Sequence, residues 1–385
     1  MGMVRAITPV GRAVLTVSLV SWLLGVWLGW DELRLVAGAS LVVVLVAMVF
    51  TIGRSSLDIT VELTPHRVVV GNQAVGRVQV TNAGDRRLLP MRLEAPVGNG
   101  VVRFEVPGLA SGASWDDLFV VPTVRRSIIE VGPVSSVRSD PLGLACRAVA
   151  WAEPIDLYVH PRTVRLAGVT AGWIRDLEGQ PTRDLSPSDI AFHTLREYVP
   201  GDDRRHVHWR TSARLGTLMV RQFVDSRRSH LGLVLSTTAS DYVTEEEFEL
   251  AVSVVGSLAV SALMDDQAVS VTTGGRPLPA YAPPKLLDGL AGLELVDRKT
   301  DLASLARRSI PILRGASVVG MVAGSGVSPG GLRAAAGLFH HDVRVLAIRA
   351  VPGATSTLQT IGSTTVLELG ALADLGRSVR ATVAR

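Results

Sequence analysis

The sequence predicts a multidomain chain: a transmembrane helical hairpin, then a β-sandwich, then an α/β domain with a mostly parallel sheet. Three observations carry this reading. Two apolar runs of membrane-crossing length open the chain, period-two alternation follows, and apolar strand-like runs separated by helical periodicity close it. A length of 385 residues suits two or three domains. The expected boundaries are 1–54 for the hairpin, 55–162 for the sandwich, 163–227 for a linker with a dense charged motif, and 228–385 for the α/β domain.

Composition narrows the function classes. The formal net charge is only +4 and the arginines are dispersed through every segment, so no basic stripe marks a nucleic-acid binder. Lysine occurs only at Lys285 and Lys299. The single cysteine, Cys146, excludes an internal disulfide and fits a reducing compartment.

The hairpin comes first. Ala13 to Trp30 and Leu35 to Ile52 are two apolar runs of about 18 residues each, close to the ~20 that cross a ~30 Å hydrocarbon core as a helix. Trp22, Trp27 and Trp30 crowd the later half of the first run, where an interfacial aromatic belt sits. Asp31 to Arg34 reads as the tight turn between the spans. Arg5 and Arg12 precede the first span and Arg54 follows the second, which puts both termini in the cytoplasm of a two-pass inner-membrane protein. A signal peptide is the rival reading, and it is weaker because the second span follows at once without a small-x-small cleavage site.

From Leu57 to about Val149 the pattern alternates. Asp58 to Leu63, Val75 to Val80 and Met91 to Ala95 read as strands with one buried face, and Gly71-Asn72, Gly84-Asp85 and Gly98-Asn99-Gly100 read as turns. Such spacing fits a small antiparallel sandwich, and Asn72 to Gly84 reads like the early strands of an immunoglobulin-like module. Asp140-Pro141 reads as a turn initiator. Gly168 to Ser188, rich in Gly, Pro, Asp and Ser, reads as a long irregular connection.

The motif is Arg196 to Arg214, which mixes Arg, Asp, His, Tyr and Trp around a Pro-Gly turn and leads into an apolar strand, Leu218 to Val224. Asp202, Asp203, His206 and His208 are the candidates for a metal or acid–base group, with His206 and His208 on one side of a strand. No dependable third ligand accompanies them; His193 stands thirteen positions back from His206. Flanking Arg196, Arg204, Arg205 and Arg210 would keep Glu197 and Asp202 ionised, which favours ion pairs over acid catalysis. A structural cluster is therefore expected first, a docking face second, and catalysis third.

Beyond the motif, His230 to Ser236, Ala268 to Thr272, Ser317 to Val322, Val343 to Ile348 and Thr365 to Leu369 read as strands. Helices fit Thr244 onward, with Thr244 as cap and Glu247 at the capping-box position, and also Asp301 to Arg308, Pro329 to Phe339 and Ala371 to Val383. Gly324 to Gly331 follows a strand and precedes a helix, yet no Lys-Ser/Thr pair follows and the glycine spacing misses the dinucleotide fingerprint, so a plain turn is expected.

The motif residues Arg196, Tyr198, Gly201, Asp202, Trp209, Ser212, Ala213 and Arg214 resemble the core pattern of the DUF58 family, whose function is unknown. Arg125 to Pro133 and Asp140-Pro141-Leu142-Gly143-Leu144 are similar to further family segments, with Ser127 replacing a glycine and Leu142 an aromatic residue. The resemblance implies a von Willebrand factor A-like fold for the C-terminal domain. It also implies the metal-ion-dependent adhesion site that such domains commonly carry. Here the ligand positions read Ser236, Thr238 and Ser240, with Ser236 where the leading aspartate belongs and no aspartate at Ala323 to Gly326. Neither tight Mg2+ binding nor any cofactor is therefore expected. The resemblance further implies a MoxR-type AAA+ ATPase as partner, often beside a transglutaminase-like membrane protein. The resulting expectation is a non-enzymatic membrane-anchored scaffold or adaptor in assembly or cell-envelope maintenance. Its alternative is a hydrolase using Asp202, His206 and His208, for which no nucleophile-elbow, zincin or P-loop pattern is present.

Overall fold

The computed structural model describes the chain apart from residues 1–2, 5–6, 52–55, 167–191, 201, 224–229, 298–299, 363 and 384–385. Most of the expected long connection, together with Arg5, Arg54 and Gly201 of the motif, lies outside the described residues. The chain divides into two compact units, Met1–His160 and Pro161–Arg385.

The first unit opens with strand β1 (Met3–Val4) and helices α1 (Pro9–Leu28) and α2 (Asp31–Thr51). Thr8 caps α1 by accepting the Gly11 N–H at 3.0 Å, and Pro9 occupies the first turn, where its missing N–H costs nothing. Gly29 ends the helix at φ 70°, a left-handed conformation that glycine adopts without a Cβ penalty. The expected turn at Asp31 to Arg34 is instead the first turn of α2, where Asp31 and Glu32 meet the positive end of the helix dipole. The link between the helices is Gly29-Trp30. Only 17% of each apolar window is buried by protein, which leaves Trp27, Leu35 and their neighbours facing outward. These two helices fit membrane anchoring. A third helix, Glu245–Met264, is equally long and apolar, but 67% of its window is buried inside the second unit.

The remaining strands of this unit are β2 (Leu57–Thr64), β3 (Arg67–Val69), β4 (Ala74–Asn82), β5 (Met91–Val97), β6 (Gly100–Val106), β7 (Ser114–Val121), β8 (Ser127–Val131), β9 (Ser135–Ser139), β10 (Cys146–Ala150) and β11 (Ile155–His160). Strands β2, β4 and β7 form a three-stranded antiparallel sheet. The other sheet has the order β1-β10-β9-β5-β8-β11-β3, with β6 paired to β5. Along β2 the alternation is strict: Leu57, Ile59, Val61 and Leu63 are buried and the residues between them exposed. Those side chains share one core with Val78, Leu93, Phe104, Phe119 and Leu157, as expected for two faces closing on each other. At Gly76 a Cβ would collide with the Phe119 ring, so the absent side chain is what lets that ring lie across β4. Asp140 initiates the β9–β10 turn, its carboxylate accepting the Leu142 and Ala145 N–H groups at 2.8 and 2.6 Å. Leu144 and Ala145 of that turn pack with Val44 and Ala47 of α2 and with Val14 and Leu15 of α1, and the Thr8 hydroxyl donates to the Gly143 carbonyl at 2.6 Å.

The second unit contains β12 (Phe192–Glu197), α3 (Trp209–Leu215), β13 (Met219–Phe223), β14 (His230–Leu235), α4 (Glu245–Met264), β15 (Ala268–Thr273), β16 (Arg276–Leu278), α5 (Pro283–Ala291), α6 (Leu302–Ser309), β17 (Val318–Gly324), α7 (Pro329–Ala336), β18 (Arg344–Ala350), β19 (Thr357–Ile361), β20 (Thr364–Leu369) and α8 (Leu375–Val383). Its main sheet has the order β16-β15-β14-β17-β18-β20-β19. The interior pairs are parallel and both edge strands antiparallel, as the sequence leads one to expect for the interior but not for the edges. Helices cover both faces. Leu231, Leu233 and Leu235 pack with α4 residues such as Val252 and Val255, while Val234, Met321 and Ala323 pack with Leu305 of α6 and Leu332 of α7. Burial on both faces explains why β14 and β17 read as continuous apolar runs and not as alternation. The strand order reverses between β14 and β17, so their carboxyl ends form the crevice of a doubly wound sheet.

Candidate functional site

Two places hold the residues singled out by sequence: the β12–β13 hairpin and the crevice at the ends of β14 and β17.

In the hairpin, β12 and β13 pair antiparallel, with Arg196 opposite Val220. The segment between them is not a strand. It contains a 3-10 turn, Arg204–His206, followed by α3. This corrects the expectation that His206 and His208 share a strand face: His206 ends the turn, and His208 caps α3, its Nδ1 accepting the Thr211 N–H at 3.2 Å. Asp203 caps the 3-10 turn through the Arg205 N–H at 2.9 Å. The cause is local, because Asp and His side chains before a turn satisfy N–H groups that a strand would have paired elsewhere.

Arg196 and Asp202 form a fork, Nη1 to Oδ2 at 2.8 Å and Nη2 to Oδ1 at 2.6 Å. Oδ2 also accepts the Val199 N–H at 2.9 Å, so the carboxylate closes the Tyr198 to Asp202 loop. The Arg196 guanidinium, followed by the Val199 N–H, holds the Asp202 carboxyl below the usual carboxylate range, and Asp202 in turn raises Arg196. Tyr198 is half-buried, and its N–H donates to the Leu218 carbonyl at 2.8 Å. Ser212 is buried and works twice: its hydroxyl donates to the His208 carbonyl at 3.1 Å and accepts the Met219 N–H at 2.8 Å, tying α3 to β13. Trp209, Glu197 and Arg214 are exposed, Trp209 by 64%. Val199, Leu215 and Leu218 are exposed as well. The hairpin therefore brings Arg196 and Asp202 together, gives Ser212 and His208 structural duties, and turns Trp209 outward.

At the crevice, Ser236 follows β14 and is fully buried. Its hydroxyl donates to Asp241 Oδ2 at 2.5 Å and accepts the Thr238 N–H at 3.2 Å, and its carbonyl accepts the Tyr242 hydroxyl at 2.6 Å. Asp241 thus folds back onto Ser236. Burial pushes its carboxyl up, partly offset by the Ser236 hydrogen bond, with Asp301 adding to the rise. Thr238 bridges to Val296, and the Ser240 carbonyl lies where a Cβ on Gly326 would strike it.

Glu247 was expected to complete a capping box. Thr244 does cap α4 through the Glu247 N–H at 3.3 Å, but the Glu247 carboxylate goes elsewhere. It accepts the Val243 N–H at 3.0 Å, the Ser325 N–H at 2.9 Å and the Ser325 hydroxyl at 2.5 Å. Arg349 on β18 then joins Glu368 on β20 at 2.9 Å to the Ser325 carbonyl at 2.8 Å. Gly324 and Gly326 permit this closure, since a Cβ at either would meet Tyr242, Glu247 or the Asp241 backbone. Both carboxylates are thus engaged by protein donors, Asp241 by the Ser236 hydroxyl and Glu247 by the Val243 N–H and the Ser325 N–H and hydroxyl. Sequence reading missed Glu247, Ser325, Arg349 and Glu368 as one network because its members lie on four separate elements.

Among the described residues, the His, Cys, Asp and Glu ligand atoms that converge within 4.8 Å belong to His340, His341 and Asp342, all exposed. Their carboxylate already contacts both imidazoles, at 3.1 and 3.0 Å. Adjacency in the sequence was the signal that could have found them.

Comparison with known proteins bears on the hairpin. Residues 194–292 match the DUF58 family, described as a protein of unknown function. The matched residues thus run from within β12 to just past the end of α5. The uncharacterized protein YeaD of Bacillus subtilis (strain 168) is 34% identical over 83 residues, covering 22% of this chain and 20% of the relative, so the match spans about a fifth of that relative's length. Among solved structures, the CARDB domain of PF1109 from Pyrococcus furiosus is similar at 14% identity and a TM-score of 0.21, covering 27% of this chain and 93% of that one. The putative ApaA protein from Bordetella pertussis is similar at 17% identity and a TM-score of 0.20, covering 29% and 99%.

Proposed function

We propose that this chain is a non-enzymatic, membrane-anchored adaptor and that the DUF58 hairpin is its docking surface for another protein. The observation that carries this is the division of labour within the hairpin. Arg196 and Asp202 satisfy each other, Ser212 and His208 hold α3, and the residue left projecting is Trp209, with Val199, Leu215 and Leu218 also exposed. A short capped helix presenting an exposed tryptophan, with further apolar side chains nearby, has the character of an interface anchor. The partner implied by the family resemblance is a MoxR-type AAA+ ATPase, with a transglutaminase-like membrane protein as neighbour and assembly or cell-envelope maintenance as the process. The anchor is a two-pass hairpin with both termini cytoplasmic, supported by the outward apolar surface of α1 and α2 and by Arg12 in the first turn of α1. A von Willebrand factor A-like identity for the main α/β sheet belongs to the same proposal, and its support is the doubly wound strand order with reversal between β14 and β17.

The hydrolase alternative has less behind it. Both Asp202 oxygens are taken by Arg196, and His208 Nδ1 is taken by the Thr211 N–H, which leaves neither group positioned for acid–base work.

Affinity capture of the detergent-extracted full chain, read by mass spectrometry, tests the adaptor. Wild type is expected to retain the ATPase, and Trp209→Ala to lose most of it while keeping its melting temperature. Equal capture by both moves docking away from the hairpin, and no ATPase with either removes the partner.

A further inference from the structure

Within the first unit a groove of about 760 Å3 is lined by Arg86, Arg87, Arg138, Arg147 and Trp151, with Asp85 beside them. Nothing in the adaptor reading uses it. Arg138 and Arg147 sit directly opposite each other in the β9–β10 register, which brings two guanidinium side chains to the same groove lining. Arg86 and Arg87 are exposed on the β4–β5 connection. Asn82 braces that connection, its Nδ2 donating to the Arg86, Leu109 and Ala110 carbonyls at 2.9, 3.2 and 3.1 Å while Oδ1 accepts the Gly84 N–H at 3.1 Å. Trp151 is held by its indole N–H, which donates to the Ser136 hydroxyl at 2.8 Å. The groove is therefore preorganised.

Its place relative to the helices supplies the rest. Arg147 Nη1 lies 3.5 Å from the Thr51 carbonyl, in the last turn of α2, and the β9–β10 turn packs against both helices. If α1 and α2 cross a bilayer, this is the level of the headgroups. Guanidinium forks match phosphate oxygens, and a hydrogen-bonded tryptophan suits an interface that is wet on one side and apolar on the other.

We propose that this groove binds the phosphate-bearing headgroup of an anionic phospholipid in the leaflet met by the end of α2. The proposal rests on the membrane-anchor reading above. Phosphate is the chemistry recognised, and a lipid headgroup or free inorganic phosphate could supply it.

The test uses the full chain in nanodiscs of phosphatidylcholine with and without phosphatidylglycerol, and native mass spectrometry of the lipids retained on release. Wild type is expected to retain phosphatidylglycerol over phosphatidylcholine, with the preference reduced about tenfold or more in Arg86→Gln/Arg87→Gln. These two exposed positions are chosen so that folding is kept, which the melting temperature checks. A second variant, Arg138→Gln/Arg147→Gln, is expected to show the same loss. Millimolar inorganic phosphate distinguishes the sources: retention that survives it identifies the lipid, whereas complete displacement of the lipid by it overturns the lipid assignment. Unchanged retention in both arginine variants also overturns the proposal. Incorporation into neutral nanodiscs tests the anchor separately. A chain that incorporates there without any phosphatidylglycerol preference loses the groove and keeps the anchor, and a chain that does not incorporate loses both.

Discussion

Two carboxyls in the second unit are shifted in opposite directions for different reasons. Asp202 is depressed by its Arg196 fork, so the stability it contributes is present above the ordinary carboxylate value and is lost as pH falls through its lowered pKa. Asp241 is raised, chiefly by burial, so its contribution has the reverse sign. Native chains hold its proton more tightly than unfolded ones. Stability therefore falls as pH rises from the ordinary value of 3.8 to the raised pKa, and levels off above it. Asp241→Asn keeps an acceptor for the Ser236 hydroxyl and removes the ionisation. The variant is expected to gain melting temperature relative to wild type at pH 7.5 more than at pH 4, measured on the full chain in detergent. An equal difference at both values would mean that Asp241 ionises in the folded chain as it does in water.

At the scale of elements, α3 is a seven-residue helix, too short to hold itself in water. Its caps and its tie to β13 do that work. His208 serves the first turn, Gly216 ends the helix at φ 71°, and Ser212 connects it to the neighbouring strand. Ser212→Ala removes a buried hydroxyl that makes two hydrogen bonds and leaves the Met219 N–H without this acceptor, at a cost of about 1–2 kcal/mol. Hydrogen exchange is expected to speed up in 207–223 while the β14–β20 sheet keeps its protection. Loss of protection across both would make the hairpin part of the same cooperative unit as the sheet. Helix α4 resembles α1 and α2 in length and composition. All three have the length and apolarity to span a bilayer, and the neighbours each one packs against separate them.

For the whole molecule, the proposed function places anchoring in Met1–His160 and docking in Pro161–Arg385. Removing residues 1–54 is expected to release the chain from the membrane fraction into the soluble fraction, at the cost of the contacts that Leu144 and Ala145 make with α1 and α2. Membrane retention by the shortened chain would show that another surface, the arginine groove foremost, binds the bilayer strongly by itself. A single lipid contact of that kind gives marginal, reversible attachment, so full retention is not expected from it alone.

Patterns that depend on neighbours in the chain were legible in the sequence alone. The apolar runs at the N-terminus, the alternation along β2, the Asp140 turn, the Thr244 cap and the apolar strands β14 and β17 each follow from local periodicity or a single side chain near its own backbone. The charged motif that resembles DUF58 was legible for the same reason: its residues lie within one short stretch, from β12 through α3. Other features came only from tertiary structure. The edge strand β16 is three residues long with a proline in it, and β19 is largely exposed, so neither has a buried face to write a pattern. Glu247 occupies a capping position, yet Ser325, 78 residues later, competes for its carboxylate and wins part of it. The turn of the hairpin slipped from Asp31 to Gly29-Trp30 because acidic residues favour a helix start as readily as a loop. The four arginines of the groove come from three stretches of sequence, Arg86-Arg87, Arg138 and Arg147, and line one groove because β9 and β10 pair beside the β4–β5 connection. Local order is encoded by period and propensity; a site built across elements is decided by which strands pair and which helices cover them.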